Sequence, residues 1–538
     1  MATRNKRVPI PLPIRGLNTV EQFNSDIGSG YARELTNYYI KDGYLRVRPA
    51  VRSAAYTSGA GTVAWFDPST SGSGFIALRS NGDKITVSTG AVITAAFYAG
   101  QTQLATTVKH SGPTGSLDLV IGMSEPRLAA SPFTIAGPTT FSFLTAAVAC
   151  ACSHRGRLYY ANSGTIVDYG TPGQIAGAFA NTIDFAQFMA GQSILRMFSL
   201  TVNPNTSTEN VFAIFGDLGR VLFFAGDHPA AANWTLISAF DMPQPGSRIT
   251  FAEVDGDIFV GTTDYAYWAR DLIQGGGQTA YENSPTRPIE NAWKSVLWYF
   301  GSTTNPEVSY CKYLKNLDVV LCSCFEKQPG GTSFPYFAEY GSEAVIFAYH
   351  KKYKAWTLWG IAPFFWPVFD VGTSTISAYG TSYRKEVTAL TPGSIVDQNG
   401  TSGSLVDISI ETSWKTPYFA AFEGVGNKVN SVRVWFENTI SGYFEKVRAI
   451  FDYSDYNVSL GWYTQSTVTQ VSPANYGDGK EDGANQASNQ YHPIIGASGA
   501  GGGVSFQFTQ KAKSGSSTTQ NQSIYAATAY IEEAGELW

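Results

Sequence analysis

Between about residues 60 and 400 the chain repeats one pattern. An alternating apolar run meets a turn of Gly, Asp or Asn, and a second such run follows. Alternation with period 2 predicts strands, and the punctuating turns predict hairpins. The clearest unit is Phe75-Ile-Ala-Leu-Arg-Ser-Asn-Gly-Asp-Lys-Ile-Thr-Val87. Asn81-Gly82 suits a two-residue type I′ turn, where both residues need positive φ. That turn would set Leu78 opposite Ile85 and Ile76 opposite Val87. Further units are Arg157–Tyr160 with Thr165–Asp168, and Val211–Phe215 with Val221–Phe224. Asp257–Gly261 with Tyr265–Trp268 follows, then Val345–Tyr349 with Trp356 and Trp359.

Repeats of roughly 40–50 residues, each a small meander, predict a β-propeller-like domain over 59–400. Before it, residues 1–58 read as an extended arm. Pro9, Pro11 and Pro13 block helix and hold their neighbours extended. A short helical turn is predicted around Ala32–Asn37, then an alternating strand, Tyr44-Leu-Arg-Val-Arg48. Gly400–Ser404 is a joint. After it, runs at Val406–Thr412, Val429–Phe436, Val447–Tyr453 and Ile524–Ile531 predict a C-terminal β-sandwich or jelly-roll-like domain over 405–538. The predicted class is therefore all-β.

Composition agrees with this reading. Of 538 residues, 14% are aromatic and 54 are Gly, while Leu is scarce. That balance favours strands and turns over helical bundles. The formal charge is −5, with 37 Lys and Arg against 42 Asp and Glu. It is unevenly spread. Residues 1–52 hold nine Lys or Arg and four acids, so a basic arm joins an acidic body. No run reaches the roughly 18 apolar residues of a membrane helix, and the prolines interrupt any N-terminal signal. A soluble protein, not exported by the usual route, is expected. Five cysteines suit a reducing compartment.

The chemistry-bearing residues form no strong motif. The five histidines, His110, His154, His228, His350 and His492, lack metal-site spacing. Cys150 and Cys152 share one strand face. A turn at Asn316-Leu317 would bring Cys311 across from Cys322, with Cys324 nearby. Those three make a redox pair, three ligands of a zinc site, or simply small buried side chains, the last weighing most. Asp478–Asp482 lacks the alternating acids of a calcium loop. No nucleophile elbow, phosphate loop or dinucleotide fingerprint occurs. No catalytic, cofactor or metal residues are assigned, and an enzyme is not expected. The aromatics read as core more readily than as a sugar platform. Arg46 and Arg48 fall on one strand face, for contact with acidic protein or, less readily, nucleic acid.

The N-terminal stretch carries a resemblance. It runs Ile14-Arg-Gly-Leu-Asn18, Ala32-Arg-Glu-Leu-Thr-Asn-Tyr38 and Lys41-Asp-Gly-Tyr-Leu-Arg-Val-Arg-Pro49. Downstream lie Arg220–Pro229 with Trp234, Phe240–Gly246, Asp255–Val260, Ala344–His350 with Trp356, and Lys428–Trp435. In this order they resemble the tail nozzle, or tail tubular protein B, family of short-tailed bacteriophages. The resemblance implies a virion protein assembled in the bacterial cytoplasm as a ring, six copies in the family. Its partners would be the portal adaptor above and tail fibres or spikes. It would retain double-stranded DNA in the lumen, without specific binding, and conduct it during ejection. The implied assembly motif is Gly16, Leu17, Asn18, Glu34, Leu35, Asn37, Gly43, Arg46, Arg48 and Pro49. The rival readings are a receptor- or glycan-binding tail protein and, more remotely, a glycan hydrolase.

Overall fold

The computed structural model describes residues 4–20, 30–55, most of 148–297, 309–326, 344–360, 406–422, 425–438, 503–512 and 522–536, with separate strands elsewhere. Among the described residues strands predominate, with only a few short helices. Seven successive antiparallel meanders can be followed among the described residues. The first runs from Val63–Phe66 to Val92–Thr94, the second from Leu104–Gly112 to Pro126–Ala130, and the third from Val148–His154 to Asn181–Asp184. The fourth spans Ile194–Thr201 to Thr235–Asp241, and the fifth Phe251–Val254 to Ala266–Trp268. The sixth spans Tyr310–Leu314 to Ala355–Trp359, and the seventh Val368–Val371 to Val387–Thr391. Meanders two to seven touch in sequence, through their leading strands except that the fourth's leading strand meets the fifth's second strand, and the seventh touches the first. This is a β-propeller.

The blades explain the aromatic content. A blade's inner strands are covered on both sides by neighbouring blades, so they read as continuous apolar runs rather than alternating ones. In the fourth blade every residue of Val211–Gly216 is buried, whereas the outer strand Thr235–Asp241 is largely exposed. One face of the blade meets the third: Phe212 packs on Tyr159 with ring centroids 4.7 Å apart. The other face meets the fifth, where Phe215 and Phe251 lie 5.1 Å apart, edge to face. Aromatic pairs in such geometry add about 0.5–1.5 kcal/mol beyond their burial.

The arm is woven into both halves of the molecule. It supplies β1 (Asn5–Ile10), β2 (Glu34–Thr36), β3 (Tyr38–Lys41), β4 (Tyr44–Val47) and β5 (Ala50–Ala55). The last of these, β5, is the outermost strand of the seventh blade, pairing antiparallel with Val387–Thr391. The propeller is thus closed by residues that precede its first blade. Strands β1, β3 and β4 join Gln522–Glu536, Val425–Asn438 and Gln490–Ile495 in one sheet. Against it lies a sheet containing β2, Glu411–Lys415, Val504–Ala512 and Gly442–Phe451. Their shared core holds Val8, Ile10, Leu35, Ile40, Leu45, Trp414, Phe506 and Phe508.

Several sequence expectations are corrected. Ala32–Asn37 holds a strand, not a helical turn, because residues 34–36 sit between two other strands. The hairpin of the first blade pairs Leu78 with Lys84 and Ala77 with Ile85, one residue off the predicted register. A one-residue slip changes which side chains stand opposite one another. Arg48 lies one residue beyond the end of β4. The helix Ala269–Glu282 was not foreseen. It follows the fifth blade's third strand, where most other blades place a fourth. Gly276 interrupts it at φ 77°, ψ −175°, a conformation that favours glycine. The consecutive Gly275, Gly276 and Gly277 hid its helical period. The segment 478–482 lies outside the described residues.

Candidate assembly site at the N-terminal weld

The residues that carry the N-terminal motif converge where the sixth blade meets the sandwich. At the centre is β2. Thr36 pairs parallel with Leu358 of the sixth blade's last strand and antiparallel with Ser413 of the sandwich. One ten-stranded sheet therefore runs from the propeller into the C-terminal domain.

Gly16 lies flat against this junction. Its φ is +82°, and a Cβ there would meet the Trp356 backbone nitrogen at 2.5 Å and its oxygen at 2.7 Å. The next amide, of Leu17, donates to Trp356 O at 2.8 Å, and the Leu17 side chain enters the blade core beside Trp293 and Trp356. The Asn18 amide donates to Ala32 O, while its own Oδ1 accepts from the Val20 amide at 3.0 Å. Leu35 is fully buried in the sandwich core.

Charged members of the motif turn inward. Glu34 forms an ion pair with Lys415 at 2.5 Å and accepts from the Ser413 hydroxyl at 2.8 Å. Arg48 is only 1% exposed. Its Nε donates to Asn37 Oδ1 at 2.8 Å, Nη1 to the Pro49 carbonyl and Nη2 to the Gly360 carbonyl. Asn37, itself at φ 58°, also accepts from the Gly360 amide at 2.7 Å. Nearby Arg33, outside the motif residues singled out from sequence, is equally buried. It donates to Thr416 O and Ser505 Oγ, with its guanidinium 4.5 Å from the Tyr418 ring centroid. Charged side chains this deep are held by full hydrogen bonding.

Two motif residues sit apart from the weld. Gly43 turns the β3–β4 hairpin, and its amide donates to the Tyr353 hydroxyl. Arg46 is half-buried and lies 3.9 Å from Asp42 in a turn-spanning ion pair. So the arm's cations are divided. Arg33 and Arg48 are consumed inside the fold, whereas Arg4, Lys6 and Arg7 lie exposed on or beside β1.

Elsewhere, the described titratable groups serve packing. Between blades, His110 Nδ1 meets Ser153 Oγ and His154 Nδ1 meets Ser199 Oγ, each at 2.9 Å. Burial pushes His154 down to about 4, with Arg155 adding to the effect. Burial likewise lowers His350, which bonds Thr357 Oγ1, to about 3. Asp257 is held above the usual carboxylate range by burial. Its Oδ1 accepts from the Arg270 amide at the start of the Ala269–Glu282 helix, giving that helix its cap from a neighbouring strand. Among the described residues no group of three or more His, Cys, Asp or Glu is arranged to hold a metal ion. No helix among them is long and apolar enough to cross a membrane.

No family model and no curated protein matches the chain. Solved structures do resemble it. The WD40 domain of Neurospora crassa Pan2 is 8% identical, with 65% of this chain and 96% of that one covered at a TM-score of 0.37. Raptor of Chaetomium thermophilum is 8% identical over 67% of this chain and 29% of its own, TM-score 0.40. The Cps50 (Swd1) β-propeller domain of Myceliophteria thermophila is 9% identical over 63% of this chain and 98% of its own, also at 0.40.

Proposed function

We propose that the protein is a structural subunit of the tail nozzle of a short-tailed bacteriophage. Copies of it form a ring, six in number, that extends the portal and adaptor channel, retains packaged DNA and conducts it during ejection. One observation carries this reading: the motif residues that resemble the family's opening, Gly16 to Leu35 above all, are those that weld blade to sandwich. The resemblance therefore lies in architecture, in positions that set how two β domains are held in one rigid body. A ring subunit under axial load needs such a weld.

Electrostatics support a conduit rather than a DNA-binding protein. Each phosphate contact adds salt-dependent affinity, which would retard a moving duplex. The chain is acidic overall, and Arg33 and Arg48 are spent on internal hydrogen bonds. The reading is tested by electron microscopy of the purified full chain and of virions labelled for it. A six-fold tube below the portal is the expected result. A trimer at the tail periphery that binds host glycan would establish the receptor-binding rival instead.

A further inference from the structure

Cys311 and Cys322 face each other across the sixth blade's first hairpin. They are direct partners in the antiparallel register, and their sulfurs are 3.3 Å apart. Opposed residues in such a ladder have Cα atoms about 4.5–5.5 Å apart, inside the roughly 4.4–6.8 Å range that a disulfide spans. Cys324, two residues on, points to the same face and joins the same core as Val320 and Phe347. The Cys311 sulfur also touches the fifth blade, 2.8 Å from where a Cβ on Gly261 would stand. All five cysteines are free thiols, so the pair is in its reduced form.

We propose that Cys311 and Cys322 are an oxidisable dithiol that closes to a cross-strand disulfide, stapling the sixth blade's first two strands beside the seam with the fifth. The step breaks two S–H bonds and forms one S–S bond. Two protons and two electrons pass to an oxidant: a peroxide is reduced to water, or the N=N bond of a diazene is reduced to a hydrazine. Backbone pairing is already in place, so closure asks only for a sulfur movement on the order of 1 Å. Cys324 is the internal control. It lies close by, yet stands opposite Val345 rather than a thiol. Burial raises the Cys322 and Cys324 thiols well above their ordinary range. Reaction therefore needs a small, uncharged oxidant and runs slowly at neutral pH. This inference does not depend on the nozzle reading.

The test treats reduced full-length protein with diamide, then alkylates, digests with trypsin without reduction and maps the peptides by mass spectrometry. Trypsin cleaves after Lys294, Lys312, Lys315 and Lys327, so Cys311 and Cys322 fall on separate peptides. The expected product is peptide 295–312 linked to 316–327, two hydrogens lighter than the pair and separated by dithiothreitol. Cys324→Ser should keep the link, and Cys322→Ser should lose it. The proposal is overturned if wild-type protein retains all five thiols after oxidation. It is equally overturned if the link survives in Cys322→Ser, or if only intermolecular disulfides or sulfur oxyacids form. Cys322 and Cys324 share peptide 316–327, so fragmentation of the linked wild-type peptide, which locates the alkylated cysteine, assigns the link even if a variant fails to fold.

Discussion

Gly16 shows how narrowly a single residue can be constrained. Its positive φ and its contact with the Trp356 backbone leave no room for a side chain. Gly16→Ala is expected to destabilise the protein by roughly 2–3 kcal/mol, read as a lower urea midpoint with unchanged slope. The buried histidines make a second residue-scale prediction. Their folded pKa values, about 4 for His154 and about 3 for His350, lie below the unfolded 6.5. The unfolded chain therefore takes up protons first as pH falls. Stability is full above about 6.5 and is lost progressively on acidification toward 4 for His154 and toward 3 for His350. At pH 5 each histidine should have cost roughly 2 kcal/mol relative to neutrality. Denaturation midpoints across pH 7 to 5 check this, and His154→Gln should remove its own share of the slope. A midpoint independent of pH in that window would contradict the burial of both rings.

Among the elements, β2 is short but decisive. Three residues join two domains because both of their edges are used. Thr36→Pro removes a donor from the middle of a sheet, where proline is not accommodated. Calorimetry should then resolve one unfolding transition into two, propeller and sandwich. A single transition at the wild-type temperature would show that the weld does not couple them. Hairpins in the blades were largely readable from the sequence. Val211–Phe215 and Val221–Phe224 pair as their pattern suggested, and so do Val345–Tyr349 and Trp356. The helix Ala269–Glu282 was not readable, since its glycines lower helix propensity and its cap, Asp257, lies on another strand.

For the whole molecule, the arm's weaving changes what removing it would mean. A chain lacking residues 1–55 loses the closing strand of the seventh blade and the weld at once. It is expected to aggregate instead of yielding a folded subunit with impaired docking. Size-exclusion chromatography with light scattering decides the matter. Soluble, assembling protein from that chain would contradict the placement of β2 and β5. Docking contacts are better probed by reversing the exposed charges of Arg4 and Arg7, since Lys6 Nζ donates to the carbonyl of Ala421 in the sandwich core.

Periodicity by itself determined the all-β class, the repeated meanders and the pairing of Cys311 with Cys322. Each follows from local alternation and short turns, which a linear pattern records faithfully. The motif at Gly16–Asn18 and Glu34–Asn37 was also visible, but not its role. Only the tertiary structure decided that Arg48 would be buried, that Glu34 would meet Lys415, and that β2 would join two domains. Those partners lie more than 300 residues away along the chain, except for Asn37 and Pro49, and no local period encodes a contact at that distance. A charge in an exposed-looking arm reads as solvated until packing supplies the carbonyls that make its burial affordable.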